Sequence, residues 1–352
     1  MESAVPAQVA SRRVGVPWAL GAAGLLLAAV TTGLLVGPVD IGIGAIVRSA
    51  LAHVLPIDVS SDLGQTEEAI VWELRFPRVV LGALVGGMLA LAGASYQGVF
   101  RNPLADPYLL GVAAGAGLGA TLMIAYGPAE AARSYWLPLA AFAGAVAAVG
   151  GAYAIGRSVG GGQGTATLIL AGVTVAAFVT AAQTFVQEQN SQSLDEIYAW
   201  LLGGLATSGW REVALIAPYV AVATLFLLLH RRVLDVLAVG DDEARGLGID
   251  VGRTRLLIIV AATLGTAAAV AVSGLIAFVG IVVPHLIRLV VASSYRVIVP
   301  LSLAVGAAYL VFADVVARTL LAPAELPIGV VTAFVGAPFF AFVLRSSGRA
   351  GP

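Results

Sequence analysis

Mostly apolar stretches about 20 residues long, the length that carries a helix across bilayer hydrocarbon, recur along the whole chain. Ten are found, at residues 17–36, 79–99, 109–126, 137–155, 166–186, 213–229, 256–272, 274–291, 297–321 and 328–344. The seventh and eighth meet at Ser273 and Gly274, so that junction reads either as two spans or as one bent segment. The pattern predicts an all-α polytopic membrane protein with about ten transmembrane helices in one domain over residues 1–352. Residues 1–16 form a cytoplasmic tail, 38–76 an outer loop and 230–255 a cytoplasmic loop. In the outer loop Ile41, Ile46 and Leu51 are spaced to make an amphipathic surface helix.

Composition agrees. Hydrophobic residues make up 59% of the 352 and charged residues only 11%, against roughly 25% charged in an ordinary soluble domain, so a water-facing surface cannot be built from this chain. Glycine is abundant at 42 residues and cysteine is absent. Helices can therefore pack closely through small side chains, without disulfides or thiolate metal ligands. All 19 basic residues are arginine. With the N-terminus in the cytoplasm, ten crossings put thirteen arginines inside (Arg12, Arg13, Arg101, Arg157, Arg231, Arg232, Arg245, Arg253, Arg255, Arg288, Arg296, Arg345, Arg349) and six outside (Arg48, Arg75, Arg78, Arg133, Arg211, Arg318). This obeys the positive-inside rule and returns the C-terminus to the cytoplasm. The start SRRV before an apolar run also has the form of a twin-arginine signal, but the run is long and further spans follow, so a retained first helix is the plainer reading. A net charge of -1 gives no reason to expect nucleic acid as a partner.

Chemistry is sparse. Without lysine there is no Schiff-base residue and no phosphate-cradling G-x-x-x-x-G-K-[ST] loop, so ATP cannot be hydrolysed here by that route. His53, His230 and His285 are too far apart in sequence to suggest a metal motif, and no metal site is expected. The cytoplasmic run from Gly240 through Asp241, Asp242, Glu243, Ala244 and Arg245 to Gly248 reads as two short helices meeting at a glycine. Its acids suit a first turn and its later glycines a termination; a solvated loop is the competing account. RNPLADP (101–107) and PHLIR (284–288) place prolines where backbone groups must be buried in protein or face water. Each is read as a structural turn or kink at least as readily as a substrate contact. In and beside the fifth span lie Thr174, Thr180, Gln183, Thr184, Gln187 and Gln189. Helical spacing puts Thr180, Gln183, Thr184 and Gln187 on one face, where they line a pathway or bond a neighbouring helix.

Several segments match one family in order: LRFPR (74–78), GASYQGVFRNPLADPYLLGV (93–112), WLLGGL (200–205), LAVG with A-x-x-L-G (237–248), SGLIAFVGIVVPHLIR (273–288), AD-x-x-AR-x-L (313–320) and ELPIGVVTAFVGAPFF (325–340). The chain resembles the FecCD-type permeases, membrane subunits of type II ABC importers for ferric siderophores, cobalamin or haem. The resemblance implies their ten-helix fold in the bacterial plasma membrane and a second permease subunit, identical or paralogous. It also implies cytoplasmic subunits that bind ATP and Mg, and an extracytoplasmic substrate-binding protein. It makes Gly240, Asp241, Glu243, Ala244, Arg245 and Gly248 the contact with the ATP-binding subunit. Arg75, Arg78 and Arg318 become the residues that pair with glutamates of the binding protein, though anchoring of helix ends competes. It implies that the fifth helix lines the path.

Two other classes are weighed. An ion-coupled secondary transporter needs carboxylates at membrane depth, and Asp314 is the main one within a span. An intramembrane enzyme needs a nucleophile–base pair or paired carboxylates, and the sequence shows neither. The expectation is a permease without catalytic residues or cofactors of its own. A ferric siderophore is its first cargo, with cobalamin and haem as alternatives.

Overall fold

Backbone in lipid must bond itself, so apolar segments of this length fold as helices. The computed structural model describes residues 14–37, 39, 41–54, 63–128, 135–158, 165–206 and 209–348, and among them there is no strand. The helices are α1 (Val16–Leu35), α2 (Ile43–Val54), α3 (Gln65–Ala69), α4 (Phe76–Phe100), α5 (Val112–Tyr126), α6 (Trp136–Ser158), α7 (Thr165–Gln189), α8 (Leu194–Leu201), α9 (Trp210–Val239), α10 (Asp241–Gly246), α11 (Val251–Ser273), α12 (Val279–Val290), α13 (Tyr295–Thr319) and α14 (Ile328–Gly348). Seven helices among the described residues are long and apolar enough to cross a membrane: α1, the Gln65–Phe100 rod ending in α4, α6, α7, α9, α11 and α13. Three further apolar helices, α5, α12 and α14, are shorter, so each predicted stretch falls on a helix.

Three readings are refined. The described part of the outer loop carries helix, as expected: α2 lays Ile46 beside Ile41 and Val71, and α3 runs through a π-helical turn (Ile70–Arg75) into α4 as one 36-residue rod. The sixth predicted span does not stop at Leu229. Leu227, Leu234 and Leu237 are fully buried, so the apolar stripe continues past the charged HRR and holds α9 together for 30 residues. The seventh and eighth spans are not one bent helix, because Gly274 (φ 65) ends α11 and α12 starts only at Val279. Residues 1–13, with the SRRV signal reading, lie outside the described residues, as do Arg133 and Arg349 of the charge count.

The centre of the bundle is α4, whose most apolar stretch is 83% buried. It packs against α9, α11, α12 and α13, while α5, α6 and α7 form a second group joined to it through α11. Glycine sets the spacing. A Cβ on Gly93 would lie 1.9 Å from the Gly280 carbonyl oxygen, one on Gly86 2.4 Å from that of Gly306, and one on Gly115 2.2 Å from that of Gly144. Arginines assigned to opposite sides of the membrane collect at opposite ends of α4. Arg75, Arg78 and Arg318 meet at its start, whereas Arg101, Arg255, Arg288 and Arg296 fall among contacts at its end.

These spacings give a test. Gly93→Val should lower the melting temperature in detergent by the equivalent of at least ~1–3 kcal/mol, because a backbone atom cannot move aside. Gly150→Ala, with open space around the new methyl, should leave stability unchanged or raise it by up to ~1 kcal/mol. Thermal unfolding of both variants checks the pair.

Candidate functional sites at the two ends of the bundle

At the outer end, Pro77 has no N–H for the Glu73 carbonyl, and the preceding turn widens so that the Phe76 N–H bonds Val71, five residues back. Arg75 crosses to α1 and donates to the carbonyls of Leu34 (2.9 Å), Leu35 (3.2 Å) and Val39, passing Gly37, where a Cβ would come within 2.8 Å of it. Arg318 donates to Gly33. Two guanidinium groups thus satisfy the orphan carbonyls and negative dipole at the end of α1.

Arg78 turns the other way. Its Nε and Nη2 hold Asp314 at 2.8–3.1 Å, and its Nη1 and Nη2 hold Glu325 at 2.9 Å each. Arg318 lies 3.6 Å from the same Asp314.

Of the three arginines expected to face an arriving partner, two are directed at α1: Arg75 and Arg318 are each 4% exposed and donate to its carbonyls. Their spacing could not reveal this, since their acceptors are main-chain carbonyls about 40 and 285 residues away. Arg78 lies near the surface with both prongs occupied, and its more accessible partner is Glu325, 35% exposed. Asp314, weighed as an ion-coupling acid, sits instead between two arginines. Arg78 holds the Glu325 carboxyl below the ordinary glutamate range, against the opposite pull of burial.

At the inner end, Gly240 separates α9 from α10, and a Cβ there would fall 1.9 Å from Glu243 Oε2. The knob closes through Ile249 N–H to the Ala244 carbonyl (3.0 Å) and Gly248 N–H to that of Arg245 (2.9 Å), with Gly248 at φ 79. Ala244 is fully buried. Asp241 points back to the bundle, 2.9 Å from Arg255 and 3.4 Å from Arg101. Asp242 pairs with Arg245 at 2.7 Å on the outer surface, flanked by Val239 and Leu247, 72% and 70% exposed. The expectation of two short helices is half met: α10 is one, and the other is the end of α9. Nearby, Asp235 of α9 accepts from Ser294 Oγ (2.8 Å) and the Tyr295 N–H, tying α9 to the start of α13.

Between the ends the backbone is irregular and stitched. Gly204 N–H bonds Ser273 (2.9 Å), and Ile328 and Gly329 N–H bond Gly203 and Leu202 (both 3.1 Å). Tyr108, just after RNPLADP, donates its hydroxyl to the Ile276 carbonyl (3.0 Å) and accepts from the Ile276 N–H (3.2 Å). The proline loop thus packs at the break before α12, with Pro107 against Gly280. His285 packs against Phe339 and Phe340 with no hydrogen-bond partner on either ring nitrogen among the described residues. Among those residues no three His, Cys, Asp or Glu side chains cluster for a metal.

The proposed lining face of α7 splits. Gln183 is buried against Gly117 of α5 and Gln187 is half-buried, whereas Thr180 and Thr184 are exposed. The Thr184 hydroxyl bonds the Thr180 carbonyl. The four share one face, but only its Gln183 edge meets α5, a division that packing makes and spacing does not carry. Thr174 is exposed as well, beside Val173, Phe178 and Phe185.

Lipid-length helices around a glycine-packed centre, with an anchored charged projection at one end and an arginine–carboxylate rim at the other, are the build of a multi-span membrane transport subunit. The description "FecCD transport family" matches residues 25–346. The cobalamin import system permease protein BtuC of Halobacterium salinarum is 38% identical over 361 residues, covering 94% of this chain and 96% of its own. The Fe(3+)-citrate import system permease protein YfmD of Bacillus subtilis is 38% identical over 282 residues, with 80% and 83% covered. A solved structure described as an inward-facing metal-chelate type ABC transporter superposes with a TM-score of 0.80 at 28% identity, over 93% of this chain and 98% of the other. The chain belongs to the FecCD transport family. It is a membrane transport subunit; ATPase activity in this family lies in separate subunits, and membership implies ATP-binding subunits and a substrate-binding protein as partners.

The outer rim predicts two results. Arg78→Ala should destabilise the protein by ~3–5 kcal/mol, because breaking a buried pair leaves a charge uncompensated, and thermal unfolding reads it. Glu325 has a depressed folded pKa, so its contribution to stability is present above the unfolded value of about 4.3 and lost as pH falls through the folded value. Wild type and Glu325→Gln should therefore differ in stability at pH 7 and converge on acidification.

Proposed function

We propose that this chain is the permease subunit of an importer that moves a metal chelate inward across the bacterial plasma membrane, driven by ATP hydrolysed on partner subunits. The observation that carries this is α10: a short helix with exposed Val239, Asp242 and Leu247 around it and a base fixed by Ala244, Asp241 and the Gly248 closure. A projection that is rigid below and exposed above can receive a push from a docked nucleotide-binding subunit. Residues Gly240, Asp242, Glu243, Arg245 and Gly248 frame that contact; Asp241 and Ala244 support it from beneath.

Outside, the binding protein docks over the rim. Arg78 is the arginine near enough to the surface to exchange its Glu325 partner for an incoming carboxylate, while Arg75 and Arg318 hold the rim in shape by capping α1. Two permease subunits enclose the path, and the exposed face of α7 with Thr180 and Thr184 borders it. Asp314, the main carboxylate within a span, is already engaged by Arg78 and Arg318, which disfavours a secondary transporter. A ferric siderophore is the first cargo, consistent with a ferric-citrate relative; cobalamin, the cargo named for the Halobacterium salinarum relative, and haem are the alternatives.

The test is uptake in proteoliposomes. Uptake should require ATP, the ATPase subunit and the loaded binding protein; gradient-driven uptake by this chain alone would end the assignment. Glu325→Gln should tighten the binding protein several-fold at low salt and Arg78→Glu should weaken it by about tenfold or more, with Glu73→Gln as an exposed-acid control. Binding unaffected by either change removes the exchange. Which chelate the cognate binding protein retains decides the cargo.

A further inference from the structure

We infer that Asp241 is a positioning residue, the joint that carries movement of α10 into the bundle along two routes; this rests on the reading of α10 as the ATPase contact. Sequence placed Asp241 among residues facing the partner. The structure turns its carboxylate the other way, where Oδ1 meets Arg255 Nη2 at 2.9 Å and Arg101 Nη2 at 3.4 Å. Arg255 lies in α11, on the first turns after the knob. Arg101 is the residue that ends α4. One acidic side chain at the base of the projection is thus shared by the helix that follows it and by the central rod of the molecule.

Both arginines are held so that the link is directional. Arg255 is only 10% exposed in its side chain, and its Nε has no partner among the described residues, so Asp241 is its hydrogen-bonding carboxylate. Arg101 is one of two non-glycine residues with positive φ among those described, at φ 51 and ψ 36, with its N–H still bonded to Gly98 (3.4 Å). Left-handed backbone is unfavourable for a residue with a Cβ, yet an arginine stands here, its guanidinium 3.4 Å from Asp241. RNPLADP begins at this same residue, and its Pro107, with Tyr108 next to it, holds the break before α12. The route from α10 therefore runs through Asp241 and Arg101 to the proline loop and the irregular backbone at Ile276, and separately through Asp241 and Arg255 into α11.

The rest of the knob does not depend on this carboxylate. Ala244 is buried, the Ala244 N–H bonds Gly240 (3.2 Å), the Gly248 closure is main-chain, and Asp242 and Arg245 pair with each other. The Asp241–Arg101 pair, 27% and 40% exposed, adds little to stability, and in Asp241→Asn the amide oxygen still accepts from the 10%-exposed Arg255. Removing the joint should leave a folded projection that still receives its partner.

The experiment uses the full chain reconstituted with its ATPase subunit and binding protein, measuring ATPase-subunit affinity, ATP turnover and cargo moved per ATP. Asp241→Asn should keep the affinity within about twofold while cargo per ATP falls roughly tenfold, and the charge swap Asp241→Arg with Arg255→Asp should restore part of that loss. Arg101→Gly isolates the α4 route. Glycine suits the left-handed backbone, so thermal stability should hold or rise while cargo per ATP falls, a pairing that a merely structural role does not give. Wild-type cargo per ATP in both Asp241→Asn and Arg101→Gly overturns the inference and leaves the proposed function standing. A wild-type chain that binds no ATPase subunit overturns the proposed function itself, and this inference with it.

Discussion

Backbone-to-backbone approach through glycine is the constraint from which the rest of this molecule follows. In lipid the apolar side chains gain nothing by leaving the solvent, so helices associate through dispersion and close fit. Where Gly93 lies on Gly280 and Gly86 on Gly306, α4 is drawn into the middle of α12 and α13 with no room for even a methyl group. With 25 residues, α4 is about 37 Å long at 1.5 Å per residue. Its two ends are where it meets charged groups.

Those ends solve one electrostatic problem in two ways. At the outer end three arginines and two carboxylates are consumed internally: two guanidinium groups close the carbonyls of α1, and the third is divided between Asp314 and Glu325. At the inner end the arrangement is inverted, with one carboxylate, Asp241, shared by two guanidinium groups. The first arrangement fastens α1, α4 and α13 together at one end of the bundle. The second fastens α10 to α4 and α11. Planar, permanently charged arginine suits both arrangements, because it presents several donors in a fixed fork.

The irregular backbone in between is the part most exposed to change. Leu202 and Gly203 accept from the Gly329 and Ile328 N–H groups, Ser273 accepts from the Gly204 N–H, and Tyr108 supplies both a donor and an acceptor to Ile276. Beside it runs an apolar groove of about 610 Å³ lined by Leu202, Leu275, Gly329 and Phe334.

The sequence by itself determined the class of protein, the number and order of apolar helices, and the glycines, Gly240 and Gly248, that bracket α10. These depend on local matters: the length of an apolar run, the sign of flanking residues, the conformational demands of glycine. It also marked Arg75, Arg78 and Arg318, but not their partners. That Arg75 and Arg318 cap α1, that Asp314 and Glu325 share Arg78, that Gln183 turns toward Gly117 while Thr184 faces out, and that Asp241 points inward were decided only by tertiary structure. A salt bridge between positions 236 residues apart leaves no period in the chain, and a carbonyl acceptor carries no residue identity. Which face of a buried helix meets which neighbour is therefore settled by packing, after every local preference has been satisfied.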